Sequence, residues 1–296
     1  MIKNVAFIGI GVMGNPMIRH LMEAGYNVTI YYHKDPAKMQ PLLDKGAKAA
    51  PLHEVAKDAD VLFTMLPTED IVRKVLVGEG GAMEGAKPGM IVVNTSTNSA
   101  ESNIELGNLL TPKGFPVVDA PVTGSGLQAE AKTIVFVAGG DKAVYEELIP
   151  LFNAMGAGSL YAGALGTGSY AKLATNTMMA INMLSFCEAL TLAVKCGVDP
   201  EVFVAYTAGG GAQSAIADKK IGKILKRDFN PTFRSALMHK DTILAATLAK
   251  ELKLSMPMLN LTKEMFGISC AEGFADEDYG AVLKLYERWA NIIVKK

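Results

Sequence analysis

Gly9, Gly11 and Gly14 stand in G-x-G-x-x-G spacing within the run Val5–Met17, VAFIGIGVMGNPM. An apolar, strand-like stretch precedes them and a helical stretch follows. The chemistry of that arrangement is phosphate binding. The first glycine makes a tight strand-to-helix turn, the second lets backbone approach a pyrophosphate, and the third lets helix pack on strand. The helix that follows offers unpaired N–H groups and the positive end of its dipole. Ile10, Val12 and Met13 complete the loop and are expected to touch the same ligand. Farther along, Thr123, Gly124 and Ser125 combine hydroxyls with adjacent backbone N–H groups. Such a set cradles a carboxylate without a buried countercharge. Lys172 and Asn176 are spaced i, i+4, so on a helix they share a face and reach one small molecule. By position alone, Lys172 is an ordinary solvated helix lysine; for the 123–125 run an ordinary turn is the lesser reading beside the anion cradle.

Other chemistries find no support. His20, His33, His53 and His239 are scattered, with no H-x-x-x-H spacing, so no metal site is expected. Cys187, Cys196 and Cys270 form no C-x-x-C pair, and their odd number argues against a disulfide framework. The chain holds 29 basic and 30 acidic residues, net charge −1, so neither nucleic acid nor an anionic membrane surface is an expected partner. Leu173–Cys196 is long and apolar but includes Asn176, Asn182 and Glu188, each costly in lipid. It reads as a buried helix. With a first strand beginning almost at Met1, no signal peptide is expected. A cytoplasmic protein is the expectation.

The elements that must position these groups follow from patterning. A chain of 296 residues accommodates about two domains. Strands are expected near Val5–Gly9, Asn27–Tyr32, Asp60–Leu66, Met90–Thr95, Pro116–Ala120, Thr133–Ala138 and Ser159–Tyr161, with amphipathic helices between them. That alternation predicts an α/β Rossmann domain, a doubly wound parallel sheet, over residues 1–163. From residue 164 to 296 helical periodicity takes over, predicting an all-helical substrate and oligomerisation domain. One long helix runs from near Gly168 to Cys196, ended by Gly197 and Pro200. Further helices are expected over Pro200–Thr207, Ser235–Leu252, Pro257–Gly273 and Asp276–Ile293. The long helix has almost no polar face, so a homodimer or homotetramer is expected to cover it.

Four motifs, FIGIGVMGNPM (Phe7–Met17), DAPVTGS (Asp119–Ser125), GTGSYAKLATN (Gly166–Asn176) and HKD (His239–Asp241), resemble in order and spacing those of the β-hydroxyacid dehydrogenases, the 3-hydroxyisobutyrate dehydrogenase family. The resemblance implies hydride transfer between a nicotinamide and a small hydroxy acid or its semialdehyde. The candidate substrates it implies are 3-hydroxyisobutyrate, tartronate semialdehyde and succinic semialdehyde. It makes Lys172 the group that takes or gives the hydroxyl proton, a role open to a lysine whose pKa is lowered by burial or a nearby cation. It makes Asn176 its orienting partner and Thr123–Ser125 the carboxylate grip. Ser96 and Thr97 are implied to contact the nicotinamide ribose and the substrate, Leu66 and Pro67 the cofactor, and Lys240 both cofactor and substrate, with Asp241 holding the helix start or countering charge. Three departures stand out. Thr175 replaces an asparagine, Thr123 and Ser125 replace serine and glycine, and Asn94 occupies the place of the family's usual aspartate.

The second strand is followed by Tyr32, His33 and Lys34, where an NAD enzyme carries a carboxylate for the ribose 2′-hydroxyl. No acid there repels a 2′-phosphate, so NADP is favoured over NAD by charge. Two alternatives remain open: an imine reductase, which usually lacks a lysine at this position, and a non-catalytic nucleotide-binding relative.

Overall fold

In the computed structural model, residues 2–31 and 36–295 are described. They form two compact units, Met1–Lys172 and Leu173–Lys296. Strand and helix alternate through the first unit. Its strands are β1 (Asn4–Ile8), β2 (Asn27–Tyr31), β3 (Lys48–Ala50), β4 (Val61–Thr64), β5 (Ile91–Asn94), β6 (Val117–Asp119), β7 (Val122–Thr123), β8 (Val135–Gly139) and β9 (Gly158–Gly163). Its helices are α1 (Gly14–Glu23), α2 (Pro36–Leu43), α3 (Glu69–Val77), α4 (Ala100–Leu110), α5 (Gly126–Glu130) and α6 (Lys142–Met155).

The sheet order is β3-β2-β1-β4-β5-β6-β8-β7, with β9 added beside β8. Pairing is parallel from β3 through β6 and again between β8 and β9. β4 and β5 are buried along their whole length, as strands covered on both faces must be. One apolar layer gathers Phe7, Phe63, Phe136 and Phe152, and the opposite one Leu62, Val92, Leu76 and Leu106. Local capping fixes the helix starts. Thr68, Ser99 and Asp141 each accept a backbone N–H in the first turn of the helix they precede.

The sheet is not wholly parallel. β8 runs antiparallel to β6 and β7, because the chain runs on in one sense from β6 into β7 and reverses only after it, across α5, to enter β8. Patterning leaves out β3 and β7, of three and two residues, which are too short to show alternation.

The second unit is helical: α7 (Thr167–Lys195), which starts in the first unit, then α8 (Pro200–Thr207), α9 (Ala215–Leu225), α10 (Ser235–Glu251), α11 (Pro257–Ser269) and α12 (Leu283–Ala290). By length and composition α7 is long enough to cross a membrane. Its Ala180, Met183, Leu184, Phe186, Cys187 and Leu190 instead form the centre of the helical core. The helix expected over 276–293 is interrupted. Asp278 accepts the Gly280 N–H, starts a short tight turn over Tyr279–Val282, and only then does α12 begin. The helix expected over 257–273 ends as an α-helix at Ser269, and Gly273 takes a left-handed φ of 92°. α9, which patterning did not single out, starts at a Ser214 cap.

Candidate functional site

The glycine loop lies between β1 and α1. A Cβ on Gly9 would meet the Met65 carbonyl oxygen at 2.2 Å, and one on Gly14 would meet the Gly9 carbonyl oxygen at 1.8 Å. Both glycines are demanded by the fold itself. A Cβ on Gly11 would have nothing within 4 Å. Its bareness therefore serves no packing and leaves the loop crest open. α1 has no side-chain cap and no acidic residue in its first turn, so no carboxylate of that turn competes for its leading N–H groups. An open glycine crest over an uncapped helix start fits a dinucleotide pyrophosphate. Ile10 is buried, Met13 half-buried and Val12 exposed. Tyr32, His33 and Lys34, on which the expectation of NADP rests, lie outside the described residues.

Residues 95–98 follow β5. Ser96 is buried, and its hydroxyl accepts the Leu66 N–H at 2.9 Å, bracing the loop after β4. Leu66 and Thr97 are half-buried and Pro67 is exposed. Both amide atoms of Asn98, at 1% exposure, lack a hydrogen-bond partner. A buried orphan amide costs about 1–3 kcal/mol per unmade bond, so this loop is suited to receiving a polar ligand.

Thr123 is exposed on β7, and Gly124 has φ 137°, a conformation open mainly to glycine. The expected cradle is smaller than the sequence implies. The Ser125 N–H donates to Gln128 Oε1 at 3.1 Å as part of a capping box that starts α5. Thr123 and Gly124 remain for an anion, and one that also takes the Ser125 N–H has to displace the Gln128 side chain. The S-x-x-Q spacing was the available signal for this pairing. α5 is in turn tied to α1: Arg19 pairs with Glu130, and His20 Nε2 lies 3.1 Å from the Ala129 carbonyl oxygen. The phosphate loop and the 123–126 loop therefore share one support.

Lys172 is half-buried on α7. Asn176, one turn on, is 2% exposed. Its Nδ2 donates to Asp241 Oδ2 at 2.6 Å, while its own Oδ1 has no partner. The donor side of the amide is committed, and the acceptor side is left for a hydroxyl or ammonium. Asp241 lies within α10, so the expectation that it holds the helix start is corrected. It buttresses Asn176, and its Oδ1 lies 3.0 Å from the Lys240 ammonium. Thr175 is exposed.

Asp119 is the main residue that motif reading did not weigh. Its fully buried carboxylate accepts the Gly166 N–H at 2.7 Å and the Ser169 N–H at 2.6 Å, gripping the start of α7. Burial pushes its carboxyl above the ordinary range, and those backbone donors oppose the rise. Among the described residues no cluster of metal-ligating side chains occurs.

Residues 4–166 match the family model for the NAD binding domain of 6-phosphogluconate dehydrogenase. Residues 166–286 match that for NAD-binding of NADP-dependent 3-hydroxyisobutyrate dehydrogenase. The chain is 34% identical to 2-(hydroxymethyl)glutarate dehydrogenase of Eubacterium barkeri, over 98% of this chain and 97% of that one. It is 33% identical to 2-hydroxy-3-oxopropionate reductase of Escherichia coli strain K12, over 97% and 98%. A solved 3-hydroxyisobutyrate dehydrogenase from Salmonella typhimurium matches with a TM-score of 0.87 at 26% identity, covering 96% of this chain and 99% of that one. Fold, phosphate loop and near-full-length likeness agree: the chain belongs to the 3-hydroxyisobutyrate dehydrogenase family of NAD(P)-dependent hydroxyacid dehydrogenases.

Proposed function

We propose that this enzyme interconverts a short semialdehyde acid and the matching 3-hydroxy acid, with Lys172 as the proton-transfer residue. The observation that carries the reading is Asn176, a buried amide whose donor is locked by Asp241 and whose acceptor is unpartnered, one helical turn from that lysine. The bound nicotinamide supplies or takes hydride at C4. In reduction, Lys172 Nζ delivers a proton to the oxygen of the former aldehyde. In oxidation the amine removes it from the hydroxyl. Asn176 Oδ1 accepts from that hydroxyl or from the Lys172 ammonium and so orients the exchange. The Thr123 hydroxyl and Gly124 N–H bind the substrate carboxylate, and Thr97 bounds the reacting carbon. The 9–14 loop holds the pyrophosphate, with Leu66, Pro67, Ser96 and Lys240 along the cofactor.

Tartronate semialdehyde, succinic semialdehyde and 3-hydroxyisobutyrate are the first compounds to assay, with NADPH and NADH side by side. Turnover of none of them by folded protein would defeat the substrate class. Lys172→Ala is expected to abolish turnover while cofactor still binds; full activity in that variant removes the lysine from the mechanism. NADPH is the proposed partner, supported by the absence of a carboxylate at Tyr32, His33 and Lys34. His33→Asp is expected to weaken NADPH more than NADH. A homodimer or homotetramer in the cytosol is proposed, supported by exposed Met178, Leu192, Val202 and Tyr206 on the second unit. Light scattering that gives a monomer mass would refute the assembly.

A further inference from the structure

A row of buried polar side chains crosses the first unit at the carboxyl ends of its strands. Thr64, Asn94 and Asp119 are direct neighbours in register on β4, β5 and β6. The Thr64 hydroxyl donates to Asn94 Oδ1 at 2.8 Å, and Asn94 Nδ2 donates to Asn103 Oδ1 at 2.8 Å. Asn103 Nδ2 donates to the Ser169 hydroxyl at 3.0 Å, and the Ser169 N–H donates to the Asp119 carboxylate at 2.6 Å. All five residues are at most 1% exposed. Every link points the same way, because the Ser96 N–H fixes Asn94 Oδ1 as an acceptor and the Ser99 carbonyl fixes Asn103 Nδ2 as a donor. We infer that this one-way chain sets the starting register of α7, making Asn103 and Asp119 positioning residues for the Lys172 amine. The inference rests on the proton-transfer role proposed for Lys172.

The surroundings are shaped to the same end. A Cβ on Gly139 would lie 2.6 Å from Asp119 Oδ1, and one on Gly168 would lie 2.9 Å from Asp119 Oδ2. These two glycines clear the space through which the carboxylate reaches the helix start. α4 steadies the same turn a second time, since the Tyr170 hydroxyl bonds Glu101 at 3.3 Å. The chain also has a near end in the ligand loop: the Ser96 N–H donates to Asn94 Oδ1 at 3.1 Å. One continuous set of bonds thus joins the loop that carries Ser96 and Thr97 to the helix that carries Lys172. Asn94 gains a reason as well. An aspartate there could not donate to Asn103 Oδ1, and the direction of the chain would break. Buried polar rows of this kind are costly unless every member is satisfied, and fully satisfied ones specify a single geometry. A slip of one residue at the α7 start would turn Lys172 by about 100° and shift it about 1.5 Å along the helix.

The test compares Asn103→Leu, Ser169→Ala and Lys172→Ala in the full chain. Reduction of tartronate semialdehyde and of succinic semialdehyde, NADPH binding by fluorescence, and amide hydrogen exchange over residues 166–172 are measured together. Asn103→Leu is expected to lower kcat by roughly 10- to 100-fold, the scale of a displaced catalytic group. The KM for NADPH and its Kd should stay within about 2-fold, since the phosphate loop is untouched. Exchange at 166–172 should quicken. Ser169→Ala keeps the backbone bond to Asp119 and should move in the same direction by less; it carries the test if Asn103→Leu does not fold. Normal kcat and unchanged exchange in both variants, beside an inactive Lys172→Ala, would overturn the inference and leave the lysine's role standing. A fully active Lys172→Ala would overturn both.

Discussion

Gly11 and Gly14 belong to one motif, yet the structure gives them different work. Gly14→Ala drives a methyl into the Gly9 carbonyl and is expected to cost about 1–3 kcal/mol of stability, the scale of overpacking. Gly11→Ala meets nothing, so thermal stability should hold while NADPH affinity falls; a titration calorimeter and a melt on the same two proteins separate the cases. Asn176 and Asp241 pose a related question. Asp241→Ala releases the amide donor, and the amide can then turn its Oδ1 away from the substrate. A kcat loss of about 10-fold or more with near-normal NADPH binding is expected. At this scale the sequence was legible where spacing fixes placement: the glycine triplet stands between β1 and α1, and Lys172 and Asn176 lie one turn apart on α7. It was silent on Asp119, Asn103 and Ser169, which lie far apart along the chain and meet only once β6, α4 and α7 are assembled. The Gln128 link to Ser125 was readable as a capping box, but the carboxylate-binding reading of the same loop hid it.

Lys220 on α9 and Asp278 before α12 form a buried ion pair with Nζ–O distances of 2.6 and 2.8 Å. Thr232 adds its hydroxyl and its N–H to the same carboxylate, and the ammonium sits 4.2 Å from the Tyr279 ring centroid. Burial alone would push the Asp278 carboxyl up, but the Lys220 charge and the hydrogen bonds outweigh it and hold it below the usual carboxylate range. The unfolded chain therefore binds this proton at a higher pH than the folded one. The pair's stabilisation is complete above the ordinary aspartate pKa and is lost as pH falls through the lowered folded value. Acid melts should show the helical unit weakening below about pH 4, the unfolded aspartate range. Asp278→Ala, which strands a buried ammonium, should cost about 3–5 kcal/mol by denaturant titration. An unchanged midpoint would refute that role. The same aspartate explains why the helix expected over 276–293 is interrupted. Periodicity saw one helix over 276–293, whereas Asp278 turns away from helical bonding to hold Lys220 and cap the turn at Gly280.

At the scale of the molecule, the boundary between the units falls at Lys172 and Leu173, inside α7. Composition placed the change from strands to helices near residue 163, because strand-like residues stop there. Contacts place it a turn and a half into the helix, because Asp119 and Asn103 hold the first residues of α7 against the sheet. Which residues a helix start packs on is invisible to periodicity. The amine and the amide accordingly ride on a single rod. Four residues of α-helix separate them by about 6 Å of rise, a distance set by bond geometry alone. Whatever breathing substrate entry and product escape demand, that ruler cannot be detuned by it, so the proposed proton donor and its proposed orienting oxygen arrive at each turnover already matched.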